Sequence, residues 1–173
     1  ICATDIKAYK TGARTKVPII LGHEFAGDVV EASKEYQEYI GRRVTVNPNI
    51  FCGKCRYCLC GEHVLCPSRY ALGIDVDGSF AEYIKIPDQA FKAGCVYEIP
   101  ETLSYEEASL AEPLAACFRG QRKLEVKPGE IVAIIGAGPI GLMHLKLAKA
   151  TGAAKVIVSE IDERRREIAE EMG

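Results

Sequence analysis

The hydrophobic and polar positions of this chain follow two different rhythms, and the change between them falls near Glu112 to Gly120. From Val29 to Val46, short apolar runs alternate with polar turns punctuated by Gly41 and Pro48, as in small antiparallel β structure. The charged stretch Lys34 to Glu38 reads as a solvated loop, and the alternation from Gly78 to Pro87 predicts a strand. A helical stretch is predicted from Ser104, where Ser104-x-x-Glu107 forms a capping box, and Pro113 suits the first turn of a helix.

Past the change, the turn Lys127 to Glu130 delivers a continuous apolar run, Ile131 to Ile135, that predicts a fully buried parallel strand. Ile140, Leu142, Met143, Leu145, Leu147 and Ala148 suit a helix packed on a sheet, and Lys155 to Val158 is a second β-branched strand. The pattern is βαβ. The fold class expected is therefore mixed, a β-rich first part over 1–115 and the start of a doubly wound α/β sheet over 116–173.

Composition narrows the functions. The 173 residues carry a formal net charge of −2 and 48% hydrophobic residues, which gives no electrostatic reason to expect nucleic acid or a membrane surface as partner. No apolar run approaches a membrane span and no basic-apolar-small leader is seen, so a cytoplasmic location is expected. A doubly wound sheet needs more strands than one βαβ unit supplies, so the chain reads as an internal fragment of a longer protein.

The eight cysteines sharpen this reading. Without an export signal, metal binding is favoured over a disulfide framework. Cys52, Cys55, Cys58 and Cys66 follow C-x2-C-x2-C-x7-C, which brings four thiolates into one short lobe and suits a closed tetrahedral zinc held for structure. An iron–sulfur cluster is the alternative occupant. Cys60 and His63 fall outside that register and read as bystanders.

Upstream, Gly22-His23-Glu24 places an imidazole beside a carboxylate at a strand entrance, and Cys2 supplies a thiolate. Those are three ligand types that a catalytic zinc accepts, with one position left open; a solvated His-Glu pair and a structural cysteine are the alternative. Glu112 stands in an apolar setting just before Pro113, either solvated at a helix start or with a specific partner.

Gly136-x-Gly138-x-x-Gly141 follows the first strand directly. Gly136 would permit the tight turn, Gly138 the approach of a pyrophosphate, and Gly141 close packing of helix on strand, with Pro139 and Ile140 completing the loop that faces the dinucleotide. Glu160 ends the second strand, near the spacing of a carboxylate that holds a ribose hydroxyl pair and repels a 2′-phosphate, which favours NAD. A βαβ unit without nucleotide is the alternative. Arg164, Arg165 and Arg166 could instead receive a phosphate, although pairing with Glu167 and Glu170 along a helix accounts for them too.

Five segments, Cys2-Ala3-Thr4-Asp5, Gly22 to Gly27, the four-cysteine lobe, Glu112-Pro113-Leu114 and Gly136 to Gly141, together resemble the zinc-dependent medium-chain dehydrogenase/reductase family, in order and in approximate spacing. The resemblance implies a GroES-like β catalytic domain followed by a Rossmann domain, and two zinc ions per subunit. One would be a catalytic ion near Cys2, His23 and Glu24, the other a structural ion on Cys52, Cys55, Cys58 and Cys66. It implies that Glu112 joins the catalytic metal or bonds its water, as in the sorbitol and threonine dehydrogenase branch, and that Thr4 accepts the substrate's proton. The activity implied is hydride transfer from a secondary alcohol (a polyol, a diol or a 3-hydroxy amino acid) to NAD, by a homodimer or homotetramer.

Three departures stand out. Ala3 replaces the usual glycine, Lys7 stands where many members carry a relay histidine, and Arg42 occupies a position that is usually aspartate. A non-catalytic zinc module would leave Gly22-His23-Glu24 and the glycine loop unexplained, and a zinc-free carbonyl reductase of the same superfamily would lack the ligand set and the lobe.

Overall fold

Backbone hydrogen bonding in the computed structural model, which describes residues 1–12, 15 and 17–173, resolves into two units, Ile1–Glu112 and Pro113–Gly173. The boundary expected from the sequence, at 115/116, lies inside the same helix.

In the first unit, α1 (Ala3–Thr11) begins at a reciprocal cap. The Cys2 sulfur accepts the Thr4 N–H, and the Asp5 carboxylate accepts the Cys2 N–H. The chain continues through β1 (Ala26–Asp28), β2 (Arg43–Val46), β3 (Asn49–Ile50), α2 (Arg56–Leu59), β4 (Tyr70–Ala71), α3 (Asp88–Lys92), β5 (Val96–Glu98) and α4 (Tyr105–Ser109). Strands β1, β2 and β5 form an antiparallel sheet in that order, with Ala26 opposite Thr45 and Val44 opposite Glu98. A second antiparallel pair, β3 with β4, frames the cysteine lobe. The capping box predicted at α4 forms with both of its bonds, Glu107 N–H to Ser104 Oγ and Ser104 N–H to the Glu107 carboxylate.

The core of this unit gathers Val46, Ile50, Phe51, Leu72, Ala90 and Cys95 with two lobe cysteines, Cys58 and Cys66. The lobe is therefore rooted in the apolar core. Arg42 serves structure, donating to the Glu38 carbonyl and pairing with Glu98.

Two expectations fail here for physical reasons. The stretch from Gly78 to Pro87 has no strand partner among the described residues. Ile84 and Ile86 still turn to the core while Lys85 stays exposed, so the alternation records two faces without a hydrogen-bonded ladder. The segment Lys34 to Glu38 is solvated as expected, with Lys34, Glu35, Gln37 and Glu38 exposed, but it is not a loop: it lies within 3-10 turns, Lys34–Tyr39, broken at Tyr36. Its Tyr36 stacks on Phe91 with ring centres 4.3 Å apart and Tyr39 meets the same ring edge-on, so aromatic packing orders it.

The second unit takes most of α5 (Ala111–Lys123), then β6 (Ile131–Ile135), α6 (Pro139–Ala150), β7 (Lys155–Ser159) and α7 (Glu163–Glu171). Strands β6 and β7 pair in parallel, Ile131 with Lys155 through Ile135 with Ser159, which is the βαβ unit expected. Buried Gln121 ties α5 to α6 through a 2.8 Å bond to the His144 carbonyl. The run Ile131–Ile135 is not buried on both faces. Ile134 packs with Leu145 and Ala169, while Ile135 is 93% exposed. Both helices of its core cluster lie on one face of the sheet, and β7 is the one partner of β6 among the described residues. No helix among the described residues is long and apolar enough to cross a membrane.

Leu72 is fully buried in the core cluster that also holds Cys58 and Cys66. Replacing it with alanine is expected to destabilise the unit by about 2–5 kcal/mol, read as a lowered urea midpoint; an unchanged midpoint would contradict this core assignment.

Candidate functional site

The cap that starts α1 also presents chemistry. The Cys2 sulfur lies 3.6 Å from the Thr4 hydroxyl and faces the Gly22-His23-Glu24 segment, which arrives just before β1. One ligand atom each of Cys2, His23 and Glu24 lies within 4.8 Å of the others. That is close to the reach of a single ion with bonds of about 2.0–2.3 Å, and thiolate, imidazole and carboxylate are a donor set that zinc accepts.

Asp5 completes this arrangement and was not singled out in the sequence. Its carboxylate is buried, with one oxygen 2.7 Å from the Cys2 N–H and the other 3.3 Å from His23 Nδ1. The second contact is near enough for an ion pair but lacks hydrogen-bond geometry, and both atoms are otherwise unpartnered. A carboxylate that accepts from one ring nitrogen of a metal-binding histidine sets its tautomer, and Asp5 stands on the Nδ1 side of His23. The signal was present, since an acidic residue at the third helical position is half of a capping box, but its reach to His23 is a tertiary fact.

Glu112 lies outside the three-atom cluster, although both His23 and Glu24 act on it electrostatically. Burial raises its carboxyl above the usual range; His23 works against this and the negative Glu24 adds to it. Lys7 is exposed on α1.

In the lobe, the sulfurs of Cys52, Cys55, Cys58 and Cys66 all lie within 4.8 Å of one another. Cys55 and Cys58 are 3.5 Å apart and Cys52 and Cys58 3.9 Å, against about 3.8 Å for sulfurs at tetrahedral corners around zinc. The N–H groups of Lys54 and Cys55 hold the Cys52 thiol at about 6. Burial, aided by the neighbouring thiols, pushes Cys58 up to about 12. Metal binding by four thiolates releases the protons that these sulfurs carry, so affinity at this lobe would fall with falling pH. Cys60 is exposed and His63 stacks on Phe51, so neither joins the cluster.

In the second unit, Gly138 caps α6 and Pro139 takes its first position. The three glycines differ in kind. Gly136 turns at φ 96°, Gly138 faces open space, and a side chain at Gly141 would collide with the Gly136 carbonyl. Glu160 is more committed than its sequence position implies. Its two oxygens accept the N–H groups of Ala137 at 2.8 Å, Ile161 at 2.8 Å and Asp162 at 3.0 Å, bridging the end of β7 to the glycine loop. A carboxylate offers about four acceptor positions, so these three donors leave one unfilled. Arg166 donates to the Glu160 and Ile161 carbonyls and pairs with Glu163 at 3.8 Å, in place of the Glu167 and Glu170 pairing expected.

The N–H donors, Asp162 first, hold the Glu160 carboxyl below the usual carboxylate range. A depressed folded-state pKa contributes stability above the unfolded pKa and loses it as the pH falls through the folded value. Glu160→Gln is therefore expected to lower the melting temperature near neutrality, with the gap to wild type closing below about pH 5. A gap that stays constant through the acid range would contradict the bridge.

Known proteins resemble this chain over its whole length. Residues 1–101 match the alcohol dehydrogenase GroES-like domain. Sorbitol dehydrogenase of Bacillus subtilis is 38% identical over all of this chain and 49% of its own length. L-threonine 3-dehydrogenase of Pseudoalteromonas translucida is also 38% identical, over all of this chain and 50% of its own. Among solved structures, a zinc-binding dehydrogenase of Sinorhizobium meliloti bound to NADP superposes with a TM-score of 0.90 at 41% identity, covering all of this chain and 49% of that one. Alcohol dehydrogenase TADH from Thermus does so with 0.89 at 31%, covering all of this chain and 51% of that one. The chain spans about half the length of the curated relatives it matches. With the GroES-like match running through Cys2, His23, Glu24 and the whole cysteine lobe, the chain belongs to the zinc-dependent medium-chain dehydrogenase/reductase family.

Proposed function

We propose that this chain is the metal-binding and dinucleotide-binding part of an enzyme that moves hydride from a secondary alcohol to NAD. The alcohol would be a polyol, a diol or a 3-hydroxy amino acid. One observation carries this reading: Cys2, His23 and Glu24, from segments some twenty residues apart in sequence, converge within 4.8 Å of one another. The sorbitol and threonine dehydrogenases among the relatives, and the galactitol-1-phosphate dehydrogenase of Escherichia coli among similar structures, support the substrate class.

Each residue has a role. Cys2, His23 and Glu24 would hold a zinc ion, Asp5 would orient His23, and Glu112, on which His23 and Glu24 act electrostatically, would join the metal or bond its water. The Thr4 hydroxyl, beside the Cys2 sulfur, is placed to take the alcohol proton. Bound zinc supplies a Lewis acid for the substrate hydroxyl and bound NAD a hydride acceptor. Cys52, Cys55, Cys58 and Cys66 would hold a second zinc, closed to substrate. In the second unit, the loop from Gly136 to Gly141, with Pro139 and Ile140, would receive the pyrophosphate at the start of α6, and the open acceptor position of Glu160 a ribose hydroxyl. The related structures include one bound to NADP and one with NADH, and the Glu160 carboxylate is what favours NAD here.

Steady-state assay of the full-length protein with NAD against polyols, diols and 3-hydroxy amino acids is expected to find turnover in one of these groups, slower with NADP. His23→Ala is expected to abolish that turnover while dinucleotide binding persists. Turnover by the variant, or a clear preference for NADP, would refute the corresponding assignment.

A further inference from the structure

The Gly22-His23-Glu24 segment is gripped from behind by a turn that takes no part in the proposed chemistry. Four backbone polar groups just before His23 find partners in residues 77–80. The Ile20 N–H donates to the Asp77 carboxylate at 3.0 Å, and the Ile20, Leu21 and Gly22 carbonyls accept the N–H groups of Gly78, Phe80 and Ser79. The turn is itself pinned, with the Gly73 N–H on the Val76 carbonyl and the Ala71 N–H on the Asp75 carboxylate, both at 2.8 Å.

Three buried glycines meet at the centre of this grip. A Cβ on Gly73 or on Gly78 would overlap the Gly22 carbonyl, and one on Gly78 would also come within 2.8 Å of the Leu21 oxygen. A Cβ on Gly22 would lie 2.7 Å from the Ser79 hydroxyl. Gly22 and Gly73 further require positive φ, at 98° and 71°, whereas Gly78 does not, so its demand is for space alone. The Gly22 carbonyl shares one rigid peptide plane with the His23 nitrogen. Whatever displaces that oxygen rotates the backbone from which the His23 ring projects, and the ring must stay within 4.8 Å of its co-ligands and 3.3 Å from Asp5.

We propose that Gly78 and Gly73, with Asp77, are positioning residues for the metal site at Cys2, His23 and Glu24. They set the depth and the rotation of His23 without touching an ion. This rests on the function proposed above and adds to it residues that no ligand pattern would identify. The four cysteines of the lobe make no hydrogen bond to this turn among the described residues, so the lobe serves as the internal control.

The test is zinc content and affinity of the full-length protein, by elemental analysis and by competition with a chromophoric chelator, for wild type, Gly78→Ala, Asp77→Ala and the control Gly94→Ala. Gly94 has a φ of 66° with nothing within 4 Å of where a Cβ would stand, so its variant carries backbone strain without crowding. Wild type and Gly94→Ala are expected to hold two zinc ions, and Gly78→Ala one. Asp77→Ala, a surface change that leaves the packing intact, is expected to weaken one of its two sites about 10- to 100-fold, the range for residues that orient metal ligands. With cobalt in place of zinc, the thiolate absorption of the lobe should persist in every variant. Two zinc ions held with wild-type affinity in both Gly78→Ala and Asp77→Ala would overturn the proposal; should Gly78→Ala fail to fold, Asp77→Ala decides alone. A wild type holding only the lobe ion would overturn the proposed function as well, so the two failures are told apart.

Discussion

A thiol sulfur, an imidazole and a carboxyl group brought within 4.8 Å of one another, with a second carboxyl group buried behind the imidazole, form a polar cluster that apolar surroundings alone would not stabilise. The folded chain nevertheless holds them there. Cys2 is fixed because it caps α1, Asp5 because it returns the cap, and His23 because the segment before it is bonded to a tight turn. Cys2, His23 and Glu24 would hold a divalent cation, with Asp5 behind the imidazole.

The four-cysteine lobe obeys a different logic. Two of its sulfurs, Cys58 and Cys66, are part of the apolar core, so a metal there links lobe to core as a cross-link would. The opposite shifts of Cys52 and Cys58 have local causes, N–H donors for one and burial for the other. Function and scaffold are thus separated within one unit. The first cluster draws on residues from two loops, while the second is nearly self-contained in sequence.

That difference decides what could be read from the sequence. The lobe was legible because its ligands are close in sequence and their spacing is itself the signal. The glycine loop was legible for the same reason, as was the capping box at Ser104. Cys2, His23 and Glu24 gained meaning only through the family resemblance, because nothing in the spacing of Cys2 from His23 states that they meet. The approach of Asp5 to His23 is not legible because it crosses to another segment, nor is the part of Gly73, which leaves room for a distant carbonyl. Ile84 to Ile86 shows the converse, a strand-like alternation without a partner to make it a strand. Ile135 was misjudged because a buried strand needs cover on both faces, and the helices supply it on one. Glu160 was placed correctly at the end of β7, yet its bonds to the glycine loop depend on how two loops approach each other.

The central claim is that Cys2, His23 and Glu24 share one divalent ion, distinct from the ion of the cysteine lobe. Anomalous diffraction at the zinc edge from crystals of the full-length protein tests it most directly. The expected result is two peaks, one enclosed by Cys52, Cys55, Cys58 and Cys66 and one bounded by Cys2, His23 and Glu24. A single peak in the lobe, with the other three side chains turned apart, would contradict the account.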